Sequence, residues 1–295
     1  MHRTRTALAI TTACLVTAGA APAVASADDS VAVVNFTPQE RADALAYWTP
    51  QRMKQVGQDN DLGPTGPISQ PWHGKPLGTI GRLFFVHGDN GLDSYCTATS
   101  VRSGNHDVVL TAGHCVWKPG APDLSYPTMV FVPGYDQGDR PFGVFPVRTV
   151  LTPKDLTTDS HHDVAAVVVD PVGGKHVNDV AGAQPVAFDR QPGPRVTTFG
   201  YPDTHPQLGE ELLSCTGNST VDQRASTPGD PQQLVPCDLD GGSSGGPWLA
   251  DFDAATGSGT VVSVNSSLDP DQPNTMGGPV LGPVAETVYR QASAN

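Results

Sequence analysis

Three short stretches of the 295-residue chain carry side chains able to do chemistry together. Gly241-Gly242-Ser243-Ser244-Gly245-Gly246-Pro247 places serine between glycines, which lack a Cβ and so allow a tight turn and the close approach of another group. The setting suits a nucleophile and equally suits a serine-glycine loop without chemistry. A serine hydroxyl is a weak nucleophile near neutral pH and needs a base within hydrogen-bond reach. Thr111-Ala112-Gly113-His114-Cys115 offers one, a histidine among small residues after an apolar run and beside a cysteine that could pin the segment covalently. His161-His162-Asp163-Val164-Ala165-Ala166 supplies a carboxylate at the mouth of an apolar strand, where it must find hydrogen-bond donors or pay for burial. Taken singly, each also has a plain structural reading: a packing histidine, a turn aspartate, a flexible loop.

The elements that must position these residues are predominantly strands. Gly 32 and Pro 28 are high, charged residues make up only 16%, and 38% of the chain is hydrophobic, enough for a sizeable core. Beyond residue 78, short Val/Thr/Phe-rich runs are separated by Gly, Pro and Asp, which predicts an all-β body. The expected strands are 79–86, 95–101, 108–111, 128–133, 144–151, 164–169, 196–199, 211–215, 234–237, 247–250 and 260–265. One C-terminal helix is expected over 283–292, where Val284, Val288 and Tyr289 approach helical spacing. No internal repeat indicates a solenoid or propeller.

The first 77 residues read differently. Residues 1–27 combine Arg3 and Arg5, an apolar run and Ala25-Ser26-Ala27, the pattern of a secretory signal peptide. The run is too short and too weakly apolar for a stable membrane span. Thr37-Pro38-Gln39-Glu40 outlines a capping box, and Ala42, Leu45, Ala46 and Trp48 can share the apolar face of the helix that follows. Pro50 should break that helix before a second turn through Met53 and Val56. With the Gly/Pro-rich stretch behind it, 28–77 reads as a prosegment or amino-terminal extension with a linker. A net charge of −13 argues against nucleic acid and against stable association with anionic membranes. Cys96, Cys115, Cys215 and Cys237 remain once Cys14 leaves with the signal, and an even count in an oxidising compartment implies two disulfides. No metal or other cofactor is expected: His161 and His162 are consecutive and would point to opposite faces of a strand, with no convincing ligand set around them.

The order His114, Asp163, Ser244, with the motifs Thr-Ala-Gly-His-Cys, Asp-Val-Ala and Gly-Gly-Ser-Ser-Gly-Gly-Pro, resembles the trypsin-like (chymotrypsin-fold) serine peptidases, in the secreted bacterial branch that includes the glutamyl endopeptidases. The resemblance covers about residues 79–292. It implies two six-stranded antiparallel β-barrels with a short C-terminal helix over 78–295. It also implies a secreted, monomeric endopeptidase that acts on protein or peptide substrates through an acyl-enzyme. Ser244 would attack, His114 would act as base and then acid, Asp163 would orient the ring, and the N–H groups of Gly242 and Ser244 would form the oxyanion hole. The disulfides implied are Cys96 with Cys115 and Cys215 with Cys237. Val264, Asn265 and Ser266 resemble the strand that lines the specificity pocket, with Ser266 a candidate for bonding Asp163, and Asp238, six residues before Ser244, lies where the aspartate that selects Lys or Arg stands, with Asp240 nearby as a rival. Ser243 departs from trypsin, whose aspartate there pairs with a newly freed N-terminus. Release of 28–77 would therefore expose or mature a site already formed. The competing expectation is a non-catalytic peptidase homologue that binds extracellular proteins.

Overall fold

The structure, a computed structural model, describes residues 1–2, 30–58, 60, 62, 68–88, 90–117, 126–157, 160–224, 232–269, 271–272 and 274–295. The expected signal peptide, apart from Met1 and His2, lies outside the described residues.

Strand β1 (Val31–Asn35) leads into helices α1 (Pro38–Tyr47) and α2 (Pro50–Gln55), then the two-residue strand β2 (Gln70–Pro71). The capping box forms: Thr37 Oγ1 accepts from Glu40 N while Glu40 accepts from Thr37 N. Of the expected apolar face only Trp48 is buried, while Ala42, Leu45 and Ala46 are exposed. Ala44 and Trp48, four residues apart, turn inward, while Leu45 is exposed, because the indole is aimed at the body by a bond from Trp48 Nε1 to Thr128 O at 2.6 Å.

Next come β3 (Ile80–Val86), β4 (Asp93–Ser100), β5 (Val108–Thr111), β6 (Val130–Pro133), β7 (Phe145–Pro153) and β8 (Ala165–Val169), hydrogen-bonded in the order β7-β6-β3-β4-β5-β8 and closed by β8 pairing with β7. This is a six-stranded antiparallel barrel. Its strands carry apolar residues on both faces: along β8, Ala165, Val167 and Val169 pack in one cluster and Ala166 and Val168 in another. The second cluster includes Trp48, Met53, Val288 and Ala292, so the amino-terminal segment and the terminal helix help bury it. On β7, strand β6 pairs with Phe145 and Pro146 only, and β1 pairs with Thr149–Pro153, supplying partners where the edge would otherwise be bare.

After the short helix α3 (Val177–Ala181), the second half contains β9 (Arg195–Gly200), β10 (Leu213–Asn218), β11 (Thr220–Val221), β12 (Gln232–Pro236), β13 (Pro247–Asp253), β14 (Ser258–Val264), β15 (Ser267–Leu268), β16 (Thr275–Pro279) and α4 (Pro283–Ala294). Its ladders form a five-stranded sheet, β14-β13-β9-β10-β2, and a four-stranded sheet, β11-β12-β16-β15. Val196, Leu213, Val235, Trp248 and Met276 fill the core they share. The Cys215–Cys237 disulfide ties β10 of the first sheet to the residue following β12 of the second.

A buried ion pair joins the parts. Arg82 of β3 is fully buried, donates to Glu210 Oε1 at 3.0 Å in the second half and to Val56 O at 3.2 Å in the amino-terminal segment, and stacks on Tyr95. Among the described residues no helix is long and apolar enough to cross a membrane.

Candidate active site

His114 lies in a single turn, Gly113–Cys115, directly after β5 and Ala112. The turn packs closely at Gly113, where a Cβ would come 2.6 Å from the tip of the Leu156 side chain and 3.1 Å from Asp163 Oδ1. Cys115 is bonded to Cys96 of β4, with Cα atoms 6.1 Å apart, fixing the turn to the barrel wall.

Asp163 sits two residues before β8 and is 4% exposed. Its Oδ1 accepts from the backbone N–H of His114 at 2.8 Å, and its Oδ2 accepts from His114 Nδ1 at 2.8 Å and from Ser266 Oγ at 2.6 Å. One carboxylate therefore fixes the ring from two sides, and its charge is met by three donors. A carboxylate can only accept, so the neutral imidazole keeps its proton on Nδ1 and presents the Nε2 lone pair as a base. Burial by itself would lower the His114 pKa, but the charge and hydrogen bond of Asp163 outweigh it and hold the ring above its ordinary value. Burial likewise pushes Asp163 upward, and the bonds from His114 and Ser266 overcome it, leaving its carboxyl below the usual range.

The glycine-serine loop is hung between the residues that hold this pair. Thr97, next to Cys96, donates its N–H to Ser244 O at 2.8 Å and its hydroxyl to Gly242 O at 3.0 Å. The same hydroxyl accepts from Tyr201 N at 3.0 Å. On the other side Gly245 N donates to Asn265 O, adjacent to Ser266. Ser243, Gly245 and Gly246 spend their N–H groups on Asp240, Asn265 and Ser243 carbonyls, whereas the N–H groups of Gly242 and Ser244 have no acceptor among the described residues. Gly242 has φ +81, and a Cβ there would stand 2.5 Å from Tyr95 Oη and 2.6 Å from Tyr201 O. Gly245, at φ +80, leaves only 2.0 Å between its Cβ position and Thr111 Oγ1. Both places require glycine.

Beside this group runs a cleft lined by His114, Asp163, Gln233, Ser266, Ser267 and Gly277. Residues 96–264 match the family described as the trypsin-like peptidase domain. The chain belongs to that family. It is a serine endopeptidase, a hydrolase whose substrates are peptides or proteins. Among solved structures it is similar to the protease Anisep from Arthrobacter nicotinovorans, at 32% identity and a TM-score of 0.68 over 77% of this chain and 100% of that one. It is also similar to the thermostable serine protease AL20 from an extremophilic microorganism, at 35% identity and a TM-score of 0.67 over 74% of this chain and 98% of that one. A Glu endopeptidase structure shares the fold at 18% identity and a TM-score of 0.59, over 81% of this chain and 100% of that one. Compared with curated proteins, the chain matches none.

The peptidase brings some expected site residues together and keeps others apart. Ser266 reaches Asp163, but Val264 and Asn265 are fully buried. Asn265 accepts from Thr198 Oγ1 and Trp248 Nε1 and donates to Phe199 O and Ser243 O, so its side chain is committed to holding the loop and the sheet together. Asp238, 4% exposed, accepts from Ser69 N at 2.7 Å and Ile68 N at 3.4 Å and does not line the cleft. Ser243, 1% exposed, bonds Asp240 O through its hydroxyl.

Thr97 had no sequence signal, since a threonine in a strand after cysteine is ordinary. Its hydroxyl is the tether of Gly242, and Thr97→Val keeps the shape while leaving Gly242 O and Tyr201 N without that partner, a penalty of about 1–3 kcal/mol for the buried Tyr201 N–H and less for the half-buried Gly242 O. We expect kcat to fall by about 10- to 100-fold with KM nearly unchanged, less than the loss of an oxyanion donor itself. Thr97→Ser should recover most of the rate. Equal losses in both variants, or a change confined to KM, would count against the tether.

Proposed function

We propose that this peptidase is secreted and cleaves peptide bonds through His114, Asp163 and Ser244 by way of an acyl-enzyme. The observation that carries the reading is the Asp163 carboxylate gripping both the backbone and Nδ1 of His114, which leaves Nε2 as the only ring atom able to take a proton. Ser244 Oγ attacks the substrate carbonyl carbon as its proton passes to His114 Nε2. The oxygen becomes negative and is received by the N–H groups of Gly242 and Ser244, which have no other acceptor among the described residues. Collapse breaks the C–N bond, and the leaving amine takes the proton from His114. Water then gives a proton to His114 Nε2 as its oxygen attacks the ester carbon, and collapse breaks the C–Oγ bond, releasing the acid as His114 returns the proton to Ser244 Oγ. Secretion is supported by the two disulfides and by the amino-terminal signal pattern.

The deciding experiment is covalent labelling by a fluorophosphonate. Stoichiometric adduct at Ser244, absent after heating and absent in Ser244→Ala, is the expected result. Failure of the folded protein to label, together with binding of peptides that it does not cut, would instead make it a non-catalytic homologue.

A further inference from the structure

A second cluster of titratable side chains shares no residue with the cleft. It lines an open depression formed by the turn between β4 and β5, the segment after β8 and the start of α3. Two histidines face it. His106 Nδ1 lies 2.8 Å from Asp179 Oδ1, and His176 Nδ1 lies 2.9 Å from Asp107 Oδ2. Each carboxylate can only accept, so each neutral ring holds its proton on Nδ1 and leaves a lone pair on Nε2. The rings meet with centroids 5.9 Å apart and planes at 64°. Two imidazoles sharing one tetrahedral ion at Zn–N distances of about 2.0 Å place their centroids about 5 Å apart, a spacing close to the one between these rings.

The carboxylates behind the rings are placed as outer supports of a metal centre, fixing the tautomer and raising the basicity of the ligating nitrogen. Asp107 is the more telling of the two. It is 1% exposed, its Oδ2 also receives Arg148 Nη1 at 3.1 Å, and its Oδ1 is buried without a partner. Asp107 thus holds the His176 ring through an oxygen that Arg148 also fixes, so the ring's orientation is set from a buried, ion-paired carboxylate. We propose that His106 and His176 form a binding site for a divalent transition metal of the zinc class, with Asp179 and Asp107 holding the rings and water completing the coordination. Imidazole donors select such ions over calcium or magnesium, which require oxygen ligands.

The site would also act as a clasp. Gly104 N donates to Ser293 Oγ at 2.8 Å and Asn105 Nδ2 to Ala292 O at 2.8 Å, so the turn carrying His106 already holds the end of α4. An ion bridging His106 to His176, at the head of α3, would reinforce the bonds that already hold that turn to α3, His106 Nδ1 with Asp179 Oδ1 and Asn178 N with His106 O.

The test is calorimetric titration of zinc into the full-length protein carrying Ser244→Ala, which prevents self-digestion. One equivalent of zinc is expected to bind with a dissociation constant on the order of micromolar, and Tm is expected to rise with zinc. His106→Gln combined with His176→Gln should abolish both effects, and Asp179→Asn should weaken binding by about tenfold. In the otherwise wild-type enzyme the two glutamines should leave peptidase activity unchanged. Calcium should do nothing. Zinc binding that is undiminished in the double variant, or no binding by the parent protein up to about 100 µM zinc, would overturn the proposal.

Discussion

Asparagine in place of Asp163 is expected to reduce kcat by about four orders of magnitude while the protein stays folded. The carboxylate accepts from two N–H groups of His114 and from the Ser266 hydroxyl. An amide has one accepting oxygen, and if its NH2 faces Nδ1 the imidazole proton moves to Nε2, where it blocks transfer from Ser244. The pH profile provides a separate readout. With His114 as the proposed base, activity requires the neutral ring, and His114 is held above its ordinary pKa of about 6.5, so in the wild type kcat/KM should fall as pH drops below a midpoint higher than that value. Without the charge at 163, burial becomes the dominant influence and the acid limb should move to lower pH. Steady-state kinetics from pH 4 to 9 measures both, and an unmoved limb or a nearly unchanged kcat would remove Asp163 from the mechanism.

Deleting residues 28–77 is expected to leave a protein that neither folds cooperatively nor cleaves peptides. This segment was expected as a prosegment or extension, and we propose that it is retained in the working enzyme. The reasons are its contacts. β1 forms a five-residue ladder with β7, Trp48 and Met53 are buried in the barrel's outer cluster, and Val56 O accepts from the buried Arg82. Loss of the Trp48 side chain alone should cost about 3–5 kcal/mol. Ile68 and Ser69 supply the N–H groups that satisfy Asp238, five residues before Ser243 and on the approach to the nucleophile loop, so truncation would also leave a buried carboxylate without its donors. Expression of a chain beginning at Gly78, assayed by circular dichroism, thermal melting and peptide hydrolysis, tests this. A soluble, cooperative and fully active product would restore the reading as a removable segment, and N-terminal sequencing of the mature protein would place the cut.

Much of the architecture was legible because it depends on local chemistry. Runs such as Val164–Val169 are apolar at every position, and that pattern reflects a strand buried on both faces. The capping box at Thr37 and Glu40 and the terminal helix over Pro283–Ala294 likewise follow from neighbours in the chain. The short strands β2, β11 and β15, two residues each, gave no readable signal, because at that length pairing is decided by the partner. β1 went unread for a different reason: Val31–Asn35 has suitable residues, but only the free edge of β7 makes them a strand.

By itself, the sequence determined which groups could react. His114, Asp163, Ser244 and the glycines around the serine are fixed by residue type, as is the even count of cysteines. Tertiary structure decided what each group is free to do, since hydrogen bonds between distant segments use up donors and acceptors. Asp238 looked available for a substrate's cationic side chain, and the backbone of Ile68 and Ser69 claims it. Asn265 looked like pocket lining and is consumed by four bonds. Thr97, unremarked in the sequence, holds two carbonyls of the serine loop because β4 passes beneath it. Composition sets the inventory of polar groups, and only the packed chain settles which of them are left for chemistry.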